Sequence, residues 1–576
     1  MNQRFSAAMF ALLTVTAVSG DAADLVLRNA SIVTADSDFR IVEAMAVEQG
    51  RIAAVGSSEE IDRLVDGQTE VVDLQGQMVL PGLIDSHVHP SGASRYEADH
   101  EIPTMDSIDD VLDYVRARTR VVPKGQWITL SQVFLTRLRE QRFPTRAELD
   151  AAAPDHPVWF RTGPDGSANS LALAENGIDR EFAAEHPRHV MTDPKTGEPT
   201  GVIRQSSEVF KTRPAPDTNG PGQAELDQRL LDLLQDYRRW GITGVIDRNC
   251  DDAARAQYGR LLQADQLPIR VRLSRSLNAS GSEQQIREQL DAISADPLFQ
   301  NPQPRLGVIG VKVFEDGGML TGSAYFSEPW GTSRIYGIVD PRYRGMQFID
   351  EQRLENLVRP TVQRGLAFTA HCQGDAAVEA LVRVYRRVNE DMPIAPTHST
   401  ITHSSFMSRE AIDGAAALGI GVDLQPAWLY LDARTLVAQF GQRRLEYFIP
   451  LQSLFQAGVI AGGGSDHMQK IGSMRSVNPY NPFLGMWVAV TRKARWHDSA
   501  IHREQALDRQ QMIRFYTINN AWLMRAEEEL GSLEVGKRAD FVVIDRDLLR
   551  CDDDAIAQTQ VRSTWMDGRK VFDTAD

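Results

Sequence analysis

The sequence has few cysteines, no excess of positive charge and, beyond its first residues, no long apolar run. The only cysteines among the 576 residues are Cys250, Cys372 and Cys551. Three widely spaced cysteines exclude a disulfide framework, so the core must hold the fold together. The sequence leaves open whether two of the three form one disulfide. A net charge of −16 and an isoelectric point of about 5.3 argue against a nucleic-acid partner and against an anionic membrane surface.

The first 22 residues differ from the rest of the chain. A lone Arg4 precedes an apolar run from Ala7 to Val18, and small residues follow. This pattern is typical of a secretory signal cleaved near Gly20 or Ala22, because about 12 apolar residues are too few for a membrane anchor. We expect residues 1–22 to be a signal peptide, the protein to be periplasmic or secreted, and no membrane association after cleavage.

Strand-like runs occur at both ends of the chain. They cover residues 24–34, 44–56 and 70–80 near the start, and residues 531–545 and 561–573 near the end. Each alternates or carries a glycine-containing turn, as hairpins do. The simplest arrangement pairs the two ends into one small β domain, made of residues 23–80 and 525–576.

Between these ends, apolar runs alternate with helix-like stretches. There are eight such runs, at residues 78–87, 241–247, 269–276, 306–314, 365–372, 399–405, 419–426 and 459–466. Strand–helix alternation predicts a parallel sheet, and eight units predict a closed barrel. The stretch from about 91 to 219 is too long for a bare loop and should carry structure of its own. The predicted fold is α/β: a distorted TIM (β/α)8 barrel at 81–524, an insertion after strand one, and a composite β-sandwich domain.

Polar side chains stand at the ends of five of the eight predicted strands. They are His87, His89, Lys312, His371, His403 and Asp466. Residues i and i+2 of a strand point the same way, so the first two histidines can reach one ion. Imidazole and carboxylate ligands suit Zn²⁺ and, less selectively, Mn²⁺, Fe²⁺ or Co²⁺. The sequence therefore predicts a metal site at one rim of the barrel.

Taken singly, these residues have ordinary structural explanations. A His-x-His pair is weak evidence, a lone His371 or His403 is more often a structural histidine, and Asp466 in GGGSD could cap a helix. Lys312 in VIGVKVF needs some partner, since an isolated buried ammonium is costly. The coincidence of all of them at strand ends favours the metal site.

The motifs around these residues resemble those of the amidohydrolase superfamily, and more narrowly its YtcJ-like branch, amidohydrolase family 3. The strand-end motifs are PGLIDSHVHP, GVKVFEDGGMLTGSAYF, AHCQGDAAV, ITHSSFMS and GVIAGGGSD. Two further segments, DPKTGEPTGVI and GSLEVGKRADFVVID, are also similar to that family. The resemblance covers nearly all of the mature chain.

The resemblance implies a metal-dependent hydrolase with one or two divalent ions, zinc above all. His87, His89 and Asp466 would hold the first ion, and Lys312 would be carboxylated by CO₂ to a bridging carbamate. His371 and His403 would hold a second ion or orient the substrate carbonyl. Metal-bound hydroxide would attack the carbonyl carbon, and Asp466 would carry the proton to the leaving nitrogen. Relatives are often homodimers, which implies the same here by analogy.

Some residues depart from the family pattern where substrate would bind. Thr402 replaces a frequent acid, Pro164 stands where a histidine is frequent, and His467 replaces a small residue. His398, close to strand six, is an alternative candidate for a ligand. Candidate pocket walls are Trp330, Gln373, Gln425, Trp428 and Tyr430. The expected substrate is a small molecule with an amide, formamide or carbamate bond. One alternative is a hydrolase that uses the same site on a lactone, an ester or a cyclic amide. The other is a non-catalytic exported binding protein.

Overall fold

The computed structural model describes residues 22–131, 133–213 and 220–574. The predicted signal peptide therefore lies outside the described residues, apart from Ala22. Within the described part of the chain, no helix has both the length and the apolar character needed to cross a bilayer.

The centre of the molecule is an eight-stranded parallel sheet in which each strand pairs with the next along the chain. Barrel strands one to eight are Leu83–Val88, Ile242–Cys250, Arg270–Ser276, Leu306–Phe314, Ala367–Cys372, Thr400–His403, Gly421–Leu424 and Ala461–Gly463. All eight apolar runs of the sequence contribute a strand. The barrel closes just beyond strands one and eight, where the backbone amide of Asp466 donates to His87 and that of His89 donates to His467, each at 2.8 Å.

Helices connect the strands and cover the barrel. The longer ones are Gln223–Arg239, Asp252–Gln263, Glu283–Ser294, Glu351–Gln363, Asp375–Asp391, Arg409–Leu418 and Pro426–Phe440, followed after strand eight by Pro482–Thr491, Arg509–Tyr516 and Ile518–Leu523. The helix Asp375–Asp391 illustrates their pattern, since Val378, Leu381, Tyr385 and Val388 recur at helical spacing and are buried. Helices with apolar residues on one face are expected to pack that face against the sheet.

The two chain ends form the composite β domain. A four-stranded sheet contains Leu25–Arg28, Ala44–Glu48, Arg51–Gly56 and Glu70–Asp73, and a six-stranded sheet contains Ser31–Val33, Ile41–Val42, Met78–Pro81, Phe541–Ile544, Val561–Met566 and Arg569–Asp573. In the larger sheet, Met78–Pro81 pairs antiparallel with Phe541–Ile544. A buried ion pair of 2.6 Å between Arg270 and Asp540 joins this domain to barrel strand three. The predicted fold class is confirmed, while the domain limits in residues stay a prediction.

The segment after strand one carries its own sheet, as its length required. Its five strands are Ile128–Leu130, Val158–Thr162, Asp165–Ala168, Val190–Thr192 and Pro199–Ile203. Its helices are Pro90–Arg95, Ile108–Thr119, Arg146–Ala152, Ser170–Glu175 and Arg180–Glu185. Buried Phe160 and Val158 join the main core, whereas Trp159 belongs to a separate cluster of the insertion, so the insertion is packed against the barrel on one face.

Candidate active site

Three of the predicted residues meet at the carboxyl ends of strands one and eight. A carboxylate oxygen of Asp466 lies 3.1 Å from Nε2 of His89 and 3.5 Å from Nε2 of His87. The three ligand atoms all lie within 4.8 Å of one another. Nε2 of His87 is buried and has no hydrogen-bond partner. Two imidazole nitrogens and a carboxylate oxygen, one of them buried and unpaired, fit a divalent cation such as zinc.

Local backbone geometry brings Asp466 to this place. A Cβ at Gly464 would lie 2.8 Å from Cβ of His87, so strand eight passes too close to strand one for any side chain there. Two residues later, Asp466 has a φ of 54°, in the left-handed region that non-glycine residues rarely adopt. Such strain persists only where the surroundings hold it, and it is concentrated at functional sites.

Two more histidines complete the cluster. The rings of His87 and His403 stack with centroids 4.6 Å apart, and those of His371 and His403 meet edge to face at 4.5 Å. His403 also has a positive φ, of 71°. The predicted histidines of strands one, five and six are therefore adjacent in space.

The motifs that follow strands four and five hold each other in position. One carboxylate oxygen of Asp316 accepts the backbone amide of Gln373, and the other accepts those of Gly374 and Tyr325, each at 2.9 Å. The Asp316 carboxylate also lies 3.7 Å from Nε2 of His371. The segments that contain Asp316–Gly317 and His371–Asp375 are thus joined by hydrogen bonds beside the histidines.

Burial keeps His87, His371 and His403 neutral. It holds the pKa of His87 and of His403 well below the usual value, and the neighbouring Lys312 acts in the same direction. Burial and Lys312 lower the pKa of His371 to about 3. For Asp466, burial raises the pKa, while the hydrogen bond and charge of His89 oppose that shift. Neutral imidazoles keep a lone pair free, which is what a metal ligand requires.

Lys312 lies in strand four with 1% of its surface exposed. Burial lowers its pKa to about 8, and the nearby Arg248 also lowers it, against the opposing effect of Asp423. Among the described residues no carboxylate comes within 4 Å of its ammonium, although the ring of Phe314 lies 5.5 Å away. A buried lysine without an ion-pair partner is unusual, and a strongly lowered lysine pKa is typical of functional sites.

A buried carboxylate on strand seven connects two of the histidines. One oxygen of Asp423 lies 3.1 Å from Nδ1 of His87 and accepts from Nε2 of Gln425 at 3.0 Å. Oε1 of Gln425 in turn lies 2.7 Å from Nδ1 of His403. The second oxygen of Asp423 is 3.1 Å from the guanidinium of Arg248.

The insertion reaches the site through a second polar chain. The side-chain amide of Asn478 donates to the backbone carbonyl of Asp466 at 2.6 Å. The same side chain accepts from Arg137 of the insertion at 2.8 Å, and Arg137 forms an ion pair of 2.9 Å with Asp432. Arg137 and Asp432 are both buried.

The predicted pocket walls divide into two groups. Gln425 bonds to His403, the Trp428 ring stacks on His403 at 5.0 Å, and Gln373 accepts the backbone amide of Met319 at 2.7 Å. By contrast, the Trp330 ring packs among Phe326, Tyr336 and Phe440, and the Tyr430 ring contacts Trp487. Trp330 and Tyr430 as pocket walls stay a prediction.

The remaining singled-out residues have structural partners. His398 precedes strand six, stacks on Trp522 at 4.2 Å and lies 3.5 Å from Glu527, at the opposite end of the strand from His403. The strand direction therefore separates it from the metal-ligand candidates. His467 is buried and bonds to Tyr237 at 2.7 Å. Cys250, Cys372 and Cys551 are all free thiols.

Sequence reasoning missed Asp423, Arg248, Arg137 and Asn478. A signal existed for the first, since the strand-seven run GIGVDLQP places Asp423 and Gln425 two residues apart, as His87 and His89 are in strand one. Charged residues inside buried strands need partners, which also applied to Arg248 in GVIDRNC. Arg137 ends a single 3-10 turn, Leu135–Arg137, and Asn478 lies in an irregular segment, so no periodic pattern identifies their contacts.

Comparison with known proteins identifies the family. The sequence profile of the amidohydrolase family matches residues 70–572. The N-substituted formamide deformylase of Arthrobacter pascens is 27% identical over 561 residues, which is 95% of this chain and 97% of the relative. The amidohydrolase YtcJ of Bacillus subtilis (strain 168) is 25% identical over 541 residues, 92% of this chain and 96% of the relative.

Solved structures share the fold. A metal-dependent hydrolase of Pyrococcus horikoshii OT3 superposes with a TM-score of 0.65 at 21% identity, covering 92% of this chain and 99% of the other. An adenosine deaminase of Xanthomonas campestris with bound zinc gives a TM-score of 0.53 at 15% identity, covering 96% and 93%. With the family profile spanning most of its length, the chain belongs to the amidohydrolase family and is a hydrolase of carbon–nitrogen bonds other than peptide bonds.

Proposed function

We propose that this chain is a metal-dependent hydrolase that cleaves an amide, formamide or carbamate bond in a small molecule. The observation that carries the proposal is the meeting of His87, His89 and Asp466, with His371, His403 and Lys312 beside them. Similarity to an N-substituted formamide deformylase over nearly the full length of both chains supports this bond type.

His87, His89 and Asp466 would hold the first ion, and zinc suits this set best among Zn²⁺, Mn²⁺, Fe²⁺ and Co²⁺. A divalent cation held there supplies Lewis-acid polarisation and lowers the pKa of water. His371, His403 and a carboxylated Lys312 would offer ligands for a second ion. Whether one or two ions bind is decided by metal analysis.

Lys312 has the features that carbamate formation needs. With its pKa lowered to about 8 by burial, a part of the lysine is neutral amine at physiological pH, and only the neutral amine attacks CO₂. When the neutral amine attacks, the nitrogen–carbon bond forms and one proton leaves. Together with the proton already lost from the ammonium, this turns a buried cation into an anion with two oxygen ligands. This would remove the cost of an unpaired buried ammonium.

Asp466 is the group proposed to carry the proton. Its carboxylate lies within hydrogen-bonding distance of His89, and burial raises its pKa toward the working range of a general base. It would accept a proton from the attacking water and deliver it to the leaving nitrogen.

The two remaining histidines differ in what they can donate. Nδ1 of His403 faces the oxygen of Gln425, so the proton of a neutral His403 is engaged there. The polar contacts of His371 are long, since its Nε2 lies 3.4 Å from the carbonyl of Gly317 and 3.7 Å from the carboxylate of Asp316. We therefore assign stabilisation of the substrate oxyanion to His371, and we retain His403 as a candidate ligand.

Metal analysis and a substrate screen test this function together. Protein purified without chelator should carry about one or two transition-metal ions per chain. Metal-loaded enzyme is screened with N-substituted formamides, N-acyl compounds, carbamates, lactones, esters and cyclic amides. Turnover of the lactones or esters alone would replace the C–N assignment, and a chain with only trace metal and no turnover would favour a binding protein.

We also propose that the protein is exported, on the strength of the signal-like pattern of residues 1–22. Expression of the full sequence in a Gram-negative host should yield a periplasmic product whose N-terminal residue lies just after Gly20 or Ala22. A cytoplasmic product that retains Met1 would contradict export. Size-exclusion chromatography with light scattering would test the homodimer expected by analogy.

A further inference from the structure

We propose that Asp423 is a positioning residue whose single carboxylate fixes where both His87 and His403 carry their ring protons. The proposal rests on the proposed function, because its purpose is to present two unprotonated Nε2 atoms to a metal ion. It gives a role to Asp423 and Arg248, which lie outside the motifs that point to the site.

Asp423 can only accept hydrogen bonds, because its carboxylate is paired with the guanidinium of Arg248. Its oxygen lies 3.1 Å from Nδ1 of His87, so that nitrogen must carry the proton. A neutral imidazole has one N–H, and Nε2 of His87 is therefore left with its lone pair. This agrees with the buried Nε2 that lacks a hydrogen-bond partner and lies beside Asp466.

Gln425 links Asp423 to His403 and fixes the ring proton of that histidine as well. Only the NH₂ end of the Gln425 amide can face Asp423, at 3.0 Å, since two oxygens would repel each other. The amide oxygen must then face His403, where it lies 2.7 Å from Nδ1 and can only accept. His403 consequently carries its proton on Nδ1, and its Nε2 is also free. The orientation of the amide is thus determined by its partners.

Arg248 makes this arrangement sustainable inside the barrel. Its guanidinium lies 3.1 Å from the second oxygen of Asp423, and it also donates to the backbone carbonyl of Ser86 on strand one and to Thr369 on strand five, at 3.2 and 3.3 Å. Asp423 and Arg248 are each at most 1% exposed. A buried carboxylate without a countercharge would be strongly destabilising, so the arginine balances the anion that orients the imidazoles.

The consequence for the metal site is geometric. Each ring is held at its Nδ1 side by a fixed acceptor, which restricts rotation about the side chain and leaves Nε2 for coordination. Hydrogen bonds from a ligating histidine to a carboxylate or amide oxygen have this role in many metal sites, and their loss typically lowers metal affinity or activity by roughly 10–100-fold. Here one carboxylate would serve two ligands, from strands one and six.

The first test reads the tautomers directly in metal-free enzyme. NMR of the isotope-labelled imidazole nitrogens, assigned with His87→Gln and His403→Gln, should show both rings protonated at Nδ1. Asp423→Asn should mix the tautomers of both rings, whereas Gln425→Met should affect His403 and leave His87 unchanged. An Nε2–H tautomer for His87 in the wild type would overturn the proposal even if Asp423→Asn failed to fold.

The second test measures metal affinity by competition with a chelator. Asp423→Asn should bind zinc roughly 10–100-fold more weakly than wild type. Asp540→Asn is the matched control, because it breaks another buried aspartate–arginine pair, with Arg270, far from the histidines in the β domain. Equal losses in the two variants would reduce the effect to general destabilisation and overturn the proposal. Absence of metal binding in the wild type would remove the proposed function, while the tautomer measurement would still decide this inference.

Discussion

Arg137 of the insertion and Asp432 of the helix after strand seven form a buried ion pair, with 2.9 Å between Nη2 and Oδ2. Through Asn478 the same guanidinium is connected to the backbone of Asp466. The insertion is therefore attached to the candidate active site by a chain of only two side chains.

This connection predicts separate effects on stability and on rate. Arg137→Met leaves Asp432 buried without a countercharge, which should cost about 3–5 kcal/mol of unfolding free energy. The loosened Asn478 should let Asp466 shift, and a displacement of about 1 Å can lower kcat by roughly 100-fold. Denaturant unfolding and steady-state kinetics measure the two effects.

The double variant Arg137→Met with Asp432→Leu separates them. Removing both charges should restore most of the stability, because a buried pair replaced by apolar groups is often neutral. The rate should stay low, since Asn478 still lacks its partner. Recovery of kcat together with stability would show that the ion pair acts on the fold alone.

Asp466→Asn tests the proton carrier. Removal of a general acid–base group lowers the rate by roughly 100- to 10,000-fold, and we expect a fall in kcat of that order with an unchanged circular dichroism spectrum. The exposed Asp498→Asn serves as control, because it makes the same chemical change on the surface. Turnover near the wild-type level in Asp466→Asn would exclude Asp466 from this role.

Lys312 provides a test of the carbamate. Enzyme prepared with isotope-labelled bicarbonate should show a carbamate carbon resonance that is absent from Lys312→Met. Lys312→Ala should lose activity, and a short carboxylic acid such as acetate should restore part of it by supplying oxygen ligands in the vacated volume. Full activity of Lys312→Met without any added acid would contradict the assignment.

His467 should make the metal-free protein sensitive to acid. Burial lowers its pKa to about 4, against about 6.5 for an unfolded histidine. Between these values the unfolded chain binds a proton that the folded chain does not, so stability falls as pH falls, by about 1.4 kcal/mol per pH unit. The stability that depends on a neutral His467 is fully present above about pH 6.5 and is lost by about pH 4. Denaturant unfolding of the wild type and of His467→Gln, followed across this range, should give profiles that diverge; parallel profiles would assign the sensitivity elsewhere.

Much of the barrel was predictable because its physical signals are local. The apolar run at 306–314 has the same first and last residues as the strand Leu306–Phe314, and the other seven runs each contributed a strand. His87 and His89 followed from the period of two in a strand. The convergence of Asp466 with them followed from the rule that carboxyl ends of parallel strands meet.

The parts that were missed depend on contacts between distant segments. Nothing near Arg137 in the sequence identifies Asp432 as its partner, since the two lie in separate elements joined only by folding. Trp330 was chosen as a candidate pocket wall from its residue type, which does not predict that its ring contacts Phe326 and Tyr336. Its place in the pocket stays a prediction.

The pairing of Met78–Pro81 with Phe541–Ile544 has a consequence for biosynthesis. Most of the polypeptide separates the two strands, so Met78–Pro81, which can pair early with Ser31–Val33, lacks its second neighbour until the ribosome has almost finished. Its apolar edge is open to wrong partners during that time, which predicts that nascent or prematurely terminated chains aggregate and depend on chaperones. A fragment ending before residue 541 should accordingly be insoluble even though every metal-ligand candidate is present in it.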